Sequence, residues 1–191
     1  MKNIYDKNFN DIITDFLTND EMSDVIKSLN GMPWYFNSQA NPNTKQKYDV
    51  NLNYTFLDTP NPVKDYSKLN DISQTIINRL NKKYNTKFYP HNAYLNCYSH
   101  GNEMQIHNDR QTKKEHNRTL IVYINSTDLW NVEWSGHTLL FDKDKKNIIS
   151  TSIPFRNNAF LFDSELPHGI APLSKSCYEK RIILVYQMEI E

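Results

Sequence analysis

Glycine is scarce in this chain, at 4 of 191 residues, so each one should mark a backbone requirement. Cysteine is scarcer still. Cys97 and Cys177 are too few for a disulfide framework, and a reducing, cytoplasmic setting is expected. Neither sign of charge is in excess, with 22 Lys+Arg against 22 Asp+Glu. That balance withholds the basic footprint of a general nucleic-acid binder, though not a local basic patch. No run approaches the roughly 18 apolar residues that span a bilayer, and the N-terminal MKNIYDKNFNDIITDF carries charges where a signal peptide would be apolar. A soluble protein with no membrane partner is therefore expected. Aromatics, in contrast, are plentiful: 12 Tyr, 9 Phe and 3 Trp.

The length suits one domain over 1–191, with a helix-rich part over 1–88 and a β core over 89–191. Ile12-Ile13 and Phe16-Leu17 suit either a short strand or a helical face. Thr18-Asn19-Asp20-Glu21 is a capping box, since the Thr hydroxyl can accept from an early helix N–H while Glu21 reaches back. Met22, Val25, Ile26 and Leu29 follow at helical spacing, and Gly31 should stop the helix. The segment from Asn37 to Lys64 is polar and proline-containing, and reads as a long surface excursion. A second helix is predicted from about Asp65 to Tyr84, burying Tyr66, Leu69, Ile72, Ile76 and Leu80. Short strands follow, at Ala93–Tyr98, Met104–His107, Thr119–Asn125, His137–Phe141, Ile148–Thr151, Ala159–Asp163 and Arg181–Glu189. Short strands between polar turns indicate a sandwich or small barrel, with the early helices packed on one face.

Among the six histidines only His107 has a carboxylate two positions on, at Asp109. In an extended segment those two side chains share a face, so both can reach one metal ion. His168, after the predicted strand Ala159–Asp163, supplies a distant second imidazole. Two His and one carboxylate form the facial set that leaves positions open in non-haem Fe(II) oxygenases. H-x-D alone occurs by chance, and a histidine alone is more often a surface or satisfied core residue than a ligand.

The surroundings of these residues add to that reading. Tyr98-Ser99-His100-Gly101 followed by His107-Asn108-Asp109 resembles the Y-x-x-G…H-x-D segment of Fe(II)/2-oxoglutarate-dependent dioxygenases. Arg118 through Tyr123-Ile124-Asn125 is similar to that family's R-x-x-x-x-Y-L-N strand. Ser135-Gly136-His137-Thr138-Leu139-Leu140-Phe141 resembles its G-G-x-T-x-F strand, with Ser135 where a first glycine is expected. His168-Gly169-Ile170-Ala171-Pro172 resembles the distal ligand segment. The likeness runs in order from about Asn96 to Gln187 and is nearest to the prolyl-4-hydroxylase-like branch. It implies an α+β, mainly β fold, a double-stranded β-helix or distorted jelly roll. It also implies Fe(II) held by His107, Asp109 and His168, and 2-oxoglutarate held by Arg181, Tyr98 and Tyr123. O2 would be the co-oxidant, and succinate and CO2 would be released as an aliphatic C–H is hydroxylated. Arg181 suits a carboxylate, because a guanidinium stays charged and grips with parallel hydrogen bonds; otherwise it is a surface charge ending a strand. Tyr98 and Tyr123 could instead be core aromatics. Arg118 either supports the site or flanks its strand.

A nucleic-acid-demethylating branch expects a polar residue and a second Arg at the positions of Ile183 and Gln187, so nucleic acid is not the favoured partner. A prolyl or other peptidyl side chain is the favoured substrate, with a nucleobase or free small molecule as the alternative. A non-catalytic cupin-like metal-binding module is the third reading. The insert from Asn37 to Lys64, the segment Gly31–Phe36 and Asn108–Asn117 could line an entrance, and Trp34 and Trp134 could equally be core aromatics.

Overall fold

The computed structural model describes residues 2–30, 35–37, 51–58, 67–109, 116–125 and 128–191. Its strands in chain order are β1 (Asn10–Ile13), β2 (Tyr35–Asn37), β3 (Asn51–Asp58), β4 (Phe88–Tyr98), β5 (Met104–His107) and β6 (Asn117–Tyr123). They continue with β7 (Thr138–Phe141), β8 (Ile148–Ser152), β9 (Ala159–Asp163), β10 (His168–Ile170) and β11 (Arg181–Ile190). Two helices, α1 (Asn19–Leu29) and α2 (Ser67–Tyr84), precede most of them. Seven strands form one antiparallel sheet in the order β1-β9-β6-β11-β4-β3-β2, and four form a second in the order β5-β10-β7-β8. This is the mainly β, two-sheet arrangement expected of a distorted jelly roll.

The large sheet is covered on both faces, and period-two alternation sorts its side chains. Leu120 and Val122 of β6, Ala159 and Leu161 of β9, and Leu184, Tyr186 and Met188 of β11 share one core with Met22, Val25, Ile72, Ile76 and Leu80 of the helices. The intervening Ile121 and Tyr123, Phe160 and Phe162, and Ile183 and Val185 face a second core with Leu140 and Ile170 of the small sheet. Double coverage explains why β6 is buried at every position, where a one-sided strand would alternate with solvent.

The capping box forms as predicted. Glu21 N–H donates to the Thr18 hydroxyl at 3.2 Å, and Thr18 N–H donates to the Glu21 carboxylate at 2.7 Å. Such caps contribute about 1 kcal/mol. Arg79 of α2 also donates to Glu21 at 2.9 Å, tying α1 to α2. Ser73 of α2 meets the Tyr186 hydroxyl at 2.8 Å, which fastens that helix to β11.

One open point is decided and two expectations change. Ile12-Ile13, which suit either a strand or a helical face in sequence, lie on a strand, and β1 pairs with β9 at the sheet edge. Residues 51–58, expected within a surface excursion, form β3, which pairs with β4. The β sheet thus reaches into the helix-rich part as well. β10 was not predicted at all, because three residues carry too little periodicity to register. Gly31, Trp34 and Tyr66 lie outside the described residues, as does the side chain of Leu69. Trp134 is buried in the core beside Trp130, with ring centroids 5.5 Å apart. Arg118 is structural: its Nε donates to Ile4 O at 2.9 Å and its Nη1 to Asn117 O at 2.7 Å, with Asp163 Oδ2 at 3.5 Å.

Ser135, in the place of a family glycine, has φ +58° and ψ −135°. A non-glycine residue there is strained by roughly 1–3 kcal/mol. Ser135→Gly should stabilise the protein by about 1 kcal/mol and raise Tm by roughly 2–4 °C. An unchanged or lower Tm in a thermal melt would show that the strain is relieved elsewhere.

Candidate functional site

The two sheets bring His107, Asp109 and His168 together. β10 pairs with β5 so that His168 lies directly opposite His107, which puts the two imidazoles on one face. Their ring centroids are 4.4 Å apart. Close approach of these strands depends on Gly169, where a Cβ would stand 2.8 Å from the Met104 carbonyl. β5 ends at His107, so strand alternation does not extend to Asp109 as expected from sequence. A hydroxyl holds that carboxylate instead: Thr119 on β6 donates to Asp109 Oδ2 at 2.6 Å and meets the Ser164 hydroxyl at 2.9 Å. Asp109 and His168 are buried, and His107 is partly buried.

His107 Nε2 lies 3.6 Å from Asp109 Oδ1 and His168 Nε2 lies 3.5 Å from Asp109 Oδ2. One ligand atom from each residue falls within 4.8 Å of the others, the spacing of a group that could hold one metal ion. The opposite ring nitrogens are engaged by main-chain carbonyls two residues upstream. His107 Nδ1 faces Gln105 O at 2.8 Å and His168 Nδ1 faces Leu166 O at 3.0 Å. Those carbonyls keep the proton on Nδ1 and leave Nε2 with its lone pair toward the centre. Phe162 packs edge-on against His168 at 4.8 Å.

The titration directions agree with a metal site. Burial alone would raise the Asp109 carboxyl, but His168, His107 and the Thr119 hydroxyl outweigh it and hold the group below its usual range. Burial pushes the His168 imidazole down from its ordinary value, against the pull of Asp109. An ionised carboxylate and a neutral imidazole are the forms a metal needs.

On the same inner face, Arg181 begins β11 opposite Tyr98 of β4. It is fully buried, and burial lowers its guanidinium from the ordinary value. Nε donates to the Gly136 carbonyl at 2.8 Å and Nη2 to the Thr138 hydroxyl at 2.8 Å. Nη1 is buried with no hydrogen-bond partner among the described residues. Tyr98 and Tyr123 flank the guanidinium, their ring centroids 5.4 Å and 5.3 Å from Cζ. The Tyr123 hydroxyl meets Thr138 Oγ1 at 2.8 Å, and the Tyr98 hydroxyl accepts from Asn96 Nδ2 at 3.0 Å. Gly136, at φ +71°, admits the arginine: a Cβ there would stand 3.4 Å from Arg181 Cδ and 3.2 Å from Leu173.

All six residues singled out from sequence thus lie on the inner side of the β layers. Sequence reasoning missed Thr119 and Ser164, whose roles follow from contacts across strands. Gly136 and Thr138 are visible in sequence only as parts of a strand motif. Cys97 is buried, and burial raises its thiol. Of the segment Asn108–Asn117, Asp109 serves the cluster and Asn117 is buried at the start of β6, while 110–115 lie outside the described residues.

Residues 93–187, about half of the chain, match the family model described as the 2OG-Fe(II) oxygenase superfamily. Solved structures share the fold. An oxidoreductase of the 2OG-Fe(II) oxygenase family from Burkholderia pseudomallei aligns with TM-score 0.74 at 8% identity, covering 94% of this chain and 85% of that one. A prolyl-4-hydroxylase from Pseudomonas putida aligns with TM-score 0.63 at 12% identity, covering 95% and 92%. A Trichoplax adhaerens prolyl hydroxylase, solved with a hypoxia inducible factor oxygen degradation domain peptide fragment, aligns with TM-score 0.63 at 18% identity, covering 94% and 83%. At these identities the likeness is one of fold. No curated protein matches the chain by sequence.

Thr119→Val removes the hydroxyl that orients Asp109 while nearly conserving volume. Its metal affinity, read by titration, should fall roughly 10- to 100-fold. Affinity equal to wild type would mean that Asp109 needs no such support.

Proposed function

This chain belongs to the 2OG-Fe(II) oxygenase superfamily, and from that premise we propose that it hydroxylates an aliphatic C–H in a prolyl or other peptidyl side chain. The carrying observation is the pairing, on one inner face, of a His-Asp-His cluster with a buried arginine that has an unused donor. The cluster fits Fe(II), offering two imidazole nitrogens and one carboxylate, a set that leaves coordination positions for further ligands. The arginine fits the distal carboxylate of 2-oxoglutarate, since an unpartnered buried N–H costs roughly 1–3 kcal/mol that an anionic acceptor would recover.

In this reading His107, Asp109 and His168 hold the metal and Arg181 grips 2-oxoglutarate. When bound, Fe(II) with 2-oxoglutarate and O2 supplies the oxidation in which the cosubstrate becomes succinate and CO2 and the C–H gains a hydroxyl. The chain's own part is orientation and exclusion of water. Thr119 and the carbonyls of Gln105 and Leu166 set the three ligand side chains. Tyr98 and Tyr123 wall the guanidinium, and in this reading their hydroxyls help hold the cosubstrate. Low local polarity around them strengthens an Arg–carboxylate contact.

A peptidyl substrate is supported by the fold shared with two prolyl hydroxylases, one of them solved with a peptide fragment. The balanced charge and the absence of a second inner arginine at Gln187 disfavour a nucleobase; Gln187 instead accepts from Asn92 at 3.0 Å. No helix among the described residues is long and apolar enough to cross a membrane. Two buried, unpaired thiols suit a reducing compartment.

Succinate formed from labelled 2-oxoglutarate, with Fe(II) and peptide pools, tests this reading. Peptide-stimulated succinate is expected, with Asp109→Ala losing iron binding and turnover together. Stimulation by single-stranded nucleic acid or free small molecules instead of peptides would move the substrate. No turnover with any of them, and no stabilisation by iron or 2-oxoglutarate, would overturn the reading; stabilisation by iron alone, without turnover, would leave a metal-binding module.

A further inference from the structure

Ser152, the last residue of β8, is 1% exposed, and its hydroxyl is buried without a hydrogen-bond partner among the described residues. Serine hydroxyls both donate and accept, so a buried one left idle is uncommon. Its place in the sheet says where it points. Ser152 pairs directly with Thr138 across the β7–β8 ladder, and directly opposed residues project to the same face. The Thr138 hydroxyl receives Arg181 Nη2 and meets the Tyr123 hydroxyl, both at 2.8 Å. The Tyr123 hydroxyl also reaches the Ser152 carbonyl at 3.5 Å. Two idle buried polar groups, Arg181 Nη1 and Ser152 Oγ, therefore belong to one cluster with Thr138 and Tyr123.

We propose that Ser152 is a cosubstrate-binding residue, its hydroxyl donating to the same distal carboxylate that Arg181 Nη1 grips. A carboxylate has two oxygens and about four acceptor sites, enough for both donors. The neighbouring polar group, Thr138, is already shared between Arg181 and Tyr123. The inference rests on the reading of this chain as a 2-oxoglutarate-dependent enzyme, and it concerns only which residue completes the anion pocket.

The test is calorimetric binding to the Fe(II)-loaded protein without oxygen, using 2-oxoglutarate and 2-oxopentanoate. The second ligand keeps the 2-oxo acid but carries a methyl group in place of the distal carboxylate. Ser152→Ala should weaken 2-oxoglutarate roughly 10- to 100-fold, as for a lost hydrogen bond to a charged group. It should leave 2-oxopentanoate within about 2-fold, and Ser152→Thr, which keeps the hydroxyl, should restore most of the loss. Equal weakening of both ligands would mark a merely structural role and overturn the proposal, as would unchanged 2-oxoglutarate binding in Ser152→Ala. If the wild type itself ignores 2-oxoglutarate, the enzymatic reading fails first and the assignment of Ser152 falls with it.

Discussion

Period-two alternation in a sheet buried on both sides is the constraint on which this site depends. Leu184 and Tyr186 pack toward the helices, so Arg181, Ile183 and Val185 must face the small sheet. The same parity on β4 sends Leu95 toward α2 and Tyr98 inward, and on β6 it sends Val122 outward and Tyr123 inward. A slip of one residue in β11 would exchange the two sets and place the guanidinium among helix side chains. The apolar residues thus specify where the polar ones stand. Ser73 on α2 and the Tyr186 hydroxyl lock that register from outside.

Two buried charges are the cost of this placement, and the chain treats them differently. Asp109 is surrounded by groups that favour its ionised form: two imidazoles and the Thr119 hydroxyl. Arg181 has neutral company, a carbonyl, a hydroxyl and two aromatic faces, and it retains a free donor. An unpaired buried guanidinium is expensive. An anionic ligand drawn into the layer would relieve that cost, and this links the stability of the inner face to what it binds. Arg118, equally buried, is satisfied by main-chain carbonyls and Asp163, and so serves as an anchor for the N-terminal segment.

Much of the site was legible in the sequence because its main residues are rare types in an ordered pattern. His107-x-Asp109, His168 and Arg181 each carry chemistry that a packing role does not need. The capping box and the α2 stripe were legible because their spacing is local. Thr119, Ser164 and Ser152 were not, since an ordinary hydroxyl acquires its role only from the strand that pairs beside it. β10 escaped for a related reason: its three residues are specified by β5 and β7 on either side. β3 escaped because a polar, proline-flanked stretch reads as loop until β4 pairs with it. The link from His107 to Asp109 was anticipated as strand alternation, whereas the strand ends at His107 and a hydroxyl from β6 completes the geometry.

The central claim is that one inner face holds a metal through His107, Asp109 and His168 and a dicarboxylate through Arg181. A crystal structure of the protein with Mn(II) and 2-oxoglutarate, read by anomalous scattering, tests it most directly. The account predicts one anomalous peak bounded by those three side chains, with the distal carboxylate of 2-oxoglutarate on Arg181 Nη1. Metal bound elsewhere, or 2-oxoglutarate oriented away from Arg181, would contradict it.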